Sequence, residues 1–254
     1  MTRVALFVAG LAGAFLAAFA VGSALDIGER NVADAASHGM EAAPAGLAVE
    51  QDGYRLVQDH DAFVAGRTEP YVFRILDPDG DVLRDYDVEH ERLLHLIVVA
   101  RSPNRVFLHL HPKQRADGAW TVPLKLPING SYRVFADFTT GGERRTLGVD
   151  IVGYDGPNLR ADPTSQYDVD LLRDGERLEF QVRYAGNPVK LQPYLGARGH
   201  LVVLRSDDLA YIHAHADEDE LAFDVPFPSA GHYRLYLQFK VGGKVETVSL
   251  GVRQ

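Results

Sequence analysis

The sequence predicts a mainly β protein, built as two tandem antiparallel β-sandwich modules behind an N-terminal apolar helix. Three observations carry this reading. Beyond residue 47, apolar residues fall in short runs separated by Gly, Pro, Asn and Asp, the punctuation of strands and turns. No long stretch follows the period of 3.6 that an amphipathic helix needs. The same succession of runs then occurs a second time within the 254 residues, which marks an internal duplication.

Composition narrows the chemistry. Hydrophobic residues make up 46% of the chain, which is material for real cores. The 35 acidic residues outnumber the 26 basic ones, for a net charge of −9. No long Lys/Arg cluster occurs, so the sequence gives no footing for nucleic acid, which demands neutralised phosphates. There are no cysteines and only two methionines. Disulfides, thiolate sites, a catalytic thiol and a sulfur-ligated Cu(I) site are excluded together. Any metal must be held by imidazole and carboxylate, ligands that suit Cu(II), Zn or Ni.

Residues 1–25 contain the uncharged run Val4 to Leu25, preceded by Arg3. It is long enough for a spanning helix, which needs roughly 20 apolar residues. Gly22-Ser23-Ala24 also fits a signal-peptide cleavage site, so membrane anchor and cleaved signal are both open readings. Arg3 before the run and Asp26 and Glu29 after it place the remainder of the chain outside the cytoplasm, single-pass if anchored and secreted if cleaved. Residues 26–47, rich in Ala and Gly without an apolar period, read as a flexible tether.

Module 1 is assigned to residues 48–152. Tyr54-Arg-Leu-Val is its first strand. Tyr71-Val-Phe-Arg-Ile-Leu runs into Asp77-Pro-Asp-Gly-Asp81 and on to Val82-Leu, a hairpin signature. The acidic loop is a turn and not an EF-hand: that loop places its glycine sixth, whereas Gly80 is fourth from Asp77. Leu93 to Ala100 is apolar on both faces and reads as a central strand. A turn through Ser102-Pro-Asn104 leads to Arg105-Val-Phe-Leu-His-Leu-His111. Trp120-Thr-Val-Pro-Leu, Tyr132 to Phe138 and Arg145 to Ile151 complete a set of short strands at regular spacing. Such a set belongs to an immunoglobulin-like sandwich or a barrel.

Residues 153–165 carry Gly, Pro, Asn, Asp and Ser and read as a linker. Module 2, residues 166–254, repeats the first in order. Leu178-Glu-Phe-Gln-Val-Arg answers Tyr71 to Leu76, and His200-Leu-Val-Val-Leu-Arg answers His95 to Arg101. Leu209-Ala-Tyr-Ile-His-Ala-His215 answers Arg105 to His111. Pro228-Ser-Ala-Gly-His-Tyr-Arg-Leu-Tyr-Leu-Gln-Phe answers Pro127 to Phe138.

The histidines are the most pointed feature. On a strand, Phe107, His109 and His111 share one face, as do Tyr211, His213 and His215. Two imidazoles so spaced stand roughly 7 Å apart at Cα and converge readily on one ion. The preceding strand supplies a third, His95 or His200. In module 2 a four-residue loop, Ser206 to Leu209, sets His200 opposite His215. In module 1 the aligned loop sets His95 opposite Pro112, out of phase. A bulge, or a three-residue turn that pairs His95 with His111, restores the phase.

The sequence thus favours His200, His213 and His215 as the better ligand set, with Asp217 extending the face and Asp217-Glu-Asp-Glu220 adding negative potential. His95, His109 and His111 form the second set, followed by Pro112-Lys113. His60, His90 and His232 have no counterpart in the other copy and read as surface residues. A blander reading makes all strand histidines packing residues. Enzyme signatures such as G-x-S-x-G, H-E-x-x-H and a Gly-rich phosphate loop are absent.

A leading His on an apolar strand, a turn, an H-x-H strand and then Pro-x-x-Gly-x-Tyr-Arg together resemble actinobacterial membrane-anchored or secreted proteins described as heavy-metal-binding. More distantly the pattern is similar to the YtkA/FixH and CopC-type immunoglobulin-like domains found outside the cytoplasm. The resemblance covers about residues 50–150 and 166–254. It implies copper handling, although CopC-type domains use an N-terminal amine together with His and Asp, and here an anchor or tether occupies the N-terminus. The expected function is a non-enzymatic, extracytoplasmic metal-binding protein that takes a copper or zinc ion. The alternatives are an envelope protein-interaction module with structural histidines and a metal-dependent hydrolase.

Overall fold

Alternating apolar positions close into two sandwiches in the computed structural model, which describes residues 44–101, 106–156, 165–217 and 219–254. The expected anchor, residues 26–43 of the tether and most of the linker lie outside the described residues. No described helix is long and apolar enough to cross a membrane.

Module 1 comprises β1 (Glu50–Gln51), β2 (Tyr54–Gln58), β3 (Ala62–Val64), β4 (Thr68–Leu76), β5 (Leu94–Ala100), β6 (Phe107–Leu110), β7 (Lys113–Gln114), β8 (Trp120–Lys125), β9 (Gly130–Thr140) and β10 (Glu143–Tyr154). One sheet runs β1-β2-β4-β8-β7 and the other β3-β10-β9-β5-β6. Tyr71, Phe73, Trp120, Tyr132, Val134 and Leu96 meet between them as a dry core.

Module 2 comprises β11 (Asp168–Asp174), β12 (Arg177–Tyr184), β13 (Asn187–Pro188), β14 (Gly199–Arg205), β15 (Tyr211–His213), β16 (His215–Ala216), β17 (Ala222–Asp224), β18 (His232–Val241) and β19 (Lys244–Arg253). Its sheets are β11-β12-β17-β16, with β13 on β12, and β15-β14-β18-β19. Leu178, Val203, Phe223, Leu235 and Phe239 fill the space between.

The Pro-x-x-Gly-x-Tyr motif has a visible purpose. Tyr132 Oη donates to the Ile128 carbonyl at 2.7 Å, and Tyr233 Oη donates to the Ser229 carbonyl at 2.6 Å. Each bond ties the entry of a central strand to the turn before it, the tyrosine corner of immunoglobulin-type sandwiches.

The expected hairpin after β4 forms only its turn. Asp77 Oδ1 accepts from the amides of Asp79 and Asp81, and Val82 makes a single bridge to Leu76. The chain then leaves the sheet. Trp120 Nε1 donates to Tyr86 Oη at 3.0 Å, Asp87 bridges Thr139, and Arg144 pairs with Glu89. These anchors carry residues 82–93 to the edge of the second sheet.

Residues Pro44–Gln254 form one compact unit, because the modules also pack against each other. Strands β5 and β9 are buried on both faces. One face serves the module 1 core, and the other presents Ile97, Val99 and Phe135 to Val202, Leu204, Tyr211 and Tyr236 of module 2. Phe107 stacks on Tyr236 at 4.3 Å, and Tyr211 packs on Phe135 at 5.5 Å. Phe107 corresponds to Tyr211 and Phe135 to Tyr236, so the contacts are exchanged as across a two-fold axis.

The end of the expected tether belongs to this seam. Ala45 packs into it, Gly46 N–H donates to the Thr146 carbonyl, and Arg133 donates to the carbonyls of Gly46 and Leu47. Gly148 makes room: a Cβ there would strike the Gly46 carbonyl oxygen and the Arg133 guanidinium. Gly148→Ala is expected to destabilise the protein by about 1–3 kcal/mol, the usual range for overpacking, read as a lower urea midpoint with unchanged m-value.

Candidate metal centre at the module seam

The register of the central strands builds the site. Thr146 pairs with Asp137 and Asp137 with His95, giving one row across β10, β9 and β5. In module 2, Thr247 pairs with Gln238 and Gln238 with His200, across β19, β18 and β14. The rows are counterparts, and the seam brings them face to face. Strand β6 pairs Leu96 with Leu110 and Ile97 with His109. This is the register that sets His95 in line with His111, so module 1 adopts the phase-restoring pairing.

His95, His109 and His200 each offer a nitrogen within 4.8 Å of the other two. Their ring centroids are 5.1 Å apart for His95–His109, 4.5 Å for His109–His200 and 5.5 Å for His95–His200. His111 lies alongside, 4.7 Å from His109 and 5.2 Å from His95, and its Nε2 is buried without a hydrogen-bond partner. His90 completes the rim at 6.2 Å from His95 and 6.0 Å from His200.

Hydrogen bonds fix the protons. Gln238 Nε2 donates to Thr247 Oγ1 at 3.2 Å, which turns Gln238 Oε1 toward His109. His109 Nδ1 donates to that oxygen at 2.6 Å, so a neutral His109 keeps its lone pair on Nε2. His95 Nδ1 lies 2.9 Å from this Nε2, and His95 Nε2 lies 3.2 Å from the Glu89 carbonyl. A neutral His95 has one proton for two acceptors. Either tautomer leaves two acceptors facing each other. A proton satisfies both contacts by making His95 an imidazolium; a metal ion satisfies them with His95 Nε2–H on Glu89 and Nδ1 on the ion.

Electrostatics decide against the proton. Burial, then the neighbouring imidazole of His109, pushes the His95 pKa down to about 2. Burial lowers His109 to about 4 against the upward pull of the Gln238 bond. Burial and the charge of Arg92 lower His111 to about 4. At neutral pH these are neutral nitrogen donors, the form a metal requires. With imidazoles for ligands and Arg92 nearby, the donor set suits a borderline cation such as Zn or Cu(II) and not Ca or Mg, which take oxygen.

Among the described residues the cluster spans the seam: His95 and His109 come from module 1 and His200 from module 2. His213 pairs with Val202 as the loop length predicts, but β15 ends there. The chain crosses at Ala214, which is buried in the module 2 core. His215 pairs with Asp224 in the opposite sheet and does not lie opposite His200. The side chains of His213 and His215 are outside what the structure describes.

Asp217 is a turn residue. It accepts from the amides of Asp219 and Glu220 and from Arg177, which together hold its carboxyl below the usual range. His90, expected at the surface, is part-exposed, and the anchored 82–93 segment delivers it to the rim of the cluster. His60 does stay outside, packed at a tilt against Phe63 with ring centroids 4.5 Å apart, and His232 is exposed at the start of β18.

Gln238 and Asp137 were missed. Their signal was a polar residue at the same point of two otherwise apolar runs, Val134 to Phe138 and Leu235 to Phe239. Asp137 is buried, accepts from Thr146 Oγ1 at 2.9 Å and has its pKa raised by burial.

No curated protein matches the chain. Among solved structures it is similar to the FdeC adhesin of Escherichia coli, at 16% identity over 80% of this chain and 65% of that one, with a TM-score of 0.30. It is similar to InvD of Yersinia pseudotuberculosis, at 12% identity over 79% and 58%, with a TM-score of 0.30. Invasin, a bacterial integrin-binding protein, matches at 12% identity over 79% and 38%, with a TM-score of 0.24. The chain spans less than two thirds of the length of each. The model of a domain of unknown function, DUF8832, matches residues 48–152 and 166–254, and the chain belongs to that family.

Proposed function

We propose that this protein is a non-enzymatic metal-binding protein, held outside the cytoplasm by the apolar run Val4 to Leu25, that takes one zinc or copper ion at the seam between its modules. The observation that carries the reading is the facing pair His95 Nδ1 and His109 Nε2 at 2.9 Å, with a His200 nitrogen close by and no neutral tautomer of His95 that satisfies both this contact and the one to the Glu89 carbonyl. Two nitrogens on a tetrahedral ion with bonds of about 2.0–2.1 Å stand about 3.3 Å apart, so small side-chain shifts complete a three-nitrogen site. His111, with its buried unpartnered Nε2, supplies the fourth ligand after a ring rotation.

Titration of the purified chain from residue 44 with Zn(II) and Cu(II) tests this. Binding is expected at one ion per chain, with isolated module 2 failing to bind with comparable affinity. One independent site per module, or no loss of affinity on separating the modules, refutes a shared centre. A purely structural role for the histidines predicts no tight binding at all.

A further inference from the structure

The two modules differ at one edge. In module 1, β10 is covered: β3 runs parallel along it, the Gly46 amide reaches the Thr146 carbonyl, and the Gly148 amide reaches the Ala48 carbonyl, both at 2.8 Å. The counterpart strand β19 pairs only with β18 among the described residues. Its register turns the backbone groups of Val245, Thr247, Ser249 and Gly251 away from β18, a row open to another strand.

The same edge lacks a charge. Arg133 is neutralised by Asp150 at 3.2 Å, and Asp150 also takes Arg101. The counterpart of Arg133 is Arg234, and it pairs in register with Gly251. Glycine stands where module 1 has the aspartate, so β19 brings no carboxylate to Arg234. A Cβ at Gly251 would meet nothing within 4 Å. Arg234 also lines a cleft of about 200 Å³ with Arg101, Ser206 and Tyr236. In module 1 the counterparts of Arg234 and Tyr236, namely Arg133 and Phe135, hold the Ala45–Gly46 segment.

We propose that β19 is a docking edge for an extended, acidic segment of a partner protein, which adds as a strand and sets a carboxylate on Arg234 over Gly251. Module 1 shows both halves of this arrangement filled from within the chain: a segment on the edge and an aspartate on the arginine. The occupant supplies what module 2 lacks.

The probe is a blocked Val/Thr peptide of roughly nine residues with one central Asp, titrated into the isotopically labelled chain. Amide shifts are expected at Val245, Thr247, Ser249 and Gly251. Affinity is expected to fall roughly tenfold or more in Arg234→Ala, since a charged hydrogen bond is lost. Gly251→Asp should act likewise, since it supplies the missing carboxylate internally. That position has no left-handed backbone requirement, and dispersed spectra of both variants confirm that they fold. Equal binding of a peptide with Asn in place of Asp, indifference to both substitutions, or no β19 shift at millimolar peptide overturns the proposal. A concentration-dependent dimer of the free chain that Gly251→Asp abolishes also overturns it, in favour of a second copy as the occupant.

Discussion

Zn(II) at a thousandfold excess over its Kd is expected to raise the unfolding free energy by about 4 kcal/mol, and His200→Ala to remove that increment. For a chain of this size the shift corresponds to roughly 10 °C in Tm. The unfolded chain has no preformed site, so binding energy appears as folding energy. His200 is the informative residue because it is the ligand contributed by module 2. His95→Ala must give the same loss, whereas His60→Ala must leave the metal increment intact, because His60 packs against Phe63 outside the cluster. Thermal unfolding with zinc and with chelator, for the four proteins in parallel, reads this directly. Stabilisation that survives in His200→Ala means the ion sits elsewhere.

The metal-free protein should lose stability as the solution is acidified. His95, His109 and His111 have folded pKa values of about 2, 4 and 4, below the ordinary value of about 6.5. The unfolded chain therefore binds protons that the folded chain refuses, and stability falls with pH. From pH 7.5 to 5.5 His95 and His109 each remove about 1.4 kcal/mol, roughly 3 kcal/mol together, and the less buried, solvent-screened His111 adds a smaller loss. The loss continues until the folded rings themselves protonate, near pH 4 for His109 and His111. Asp137, raised by burial, works in the opposite sense and trims the total at the acid end. Urea midpoints in chelator at pH 7.5, 6.5 and 5.5 measure the slope. A flat profile would mean that the imidazoles are already charged or solvated in the folded state.

Much of the fold was legible because it depends on local alternation. The strand over Leu94–Ala100, the tyrosine-corner strands and the order of the repeat follow from side-chain period and turn residues. Apolarity on both faces of β5 was also visible, but its meaning was not: one face belongs to the seam, and a sequence does not say what a second face will meet. The site suffered from the same gap. Loop length correctly sets the register of His213 on Val202, yet register arguments assume that a strand stays in its sheet. The change of sheet at Ala214 removes His215 from the row, and the meeting of two modules replaces it with His109. His90 was illegible for another reason. Its placement rests on Tyr86, Asp87 and Glu89 finding partners far along the chain.

The exchanged contacts at the seam, Phe107 on Tyr236 and Tyr211 on Phe135, are those of a symmetric dimer written into one chain. A true dimer would have to furnish its ligands in matched pairs, and any site lying off its axis would occur twice. Fusion lifts that parity rule. Each copy is free to drift, so that Asp137 faces the role of Gln238 and Gly251 that of Asp150. An odd set of nitrogens, two from one half and one from the other, is open only to a pair whose members no longer need to be identical.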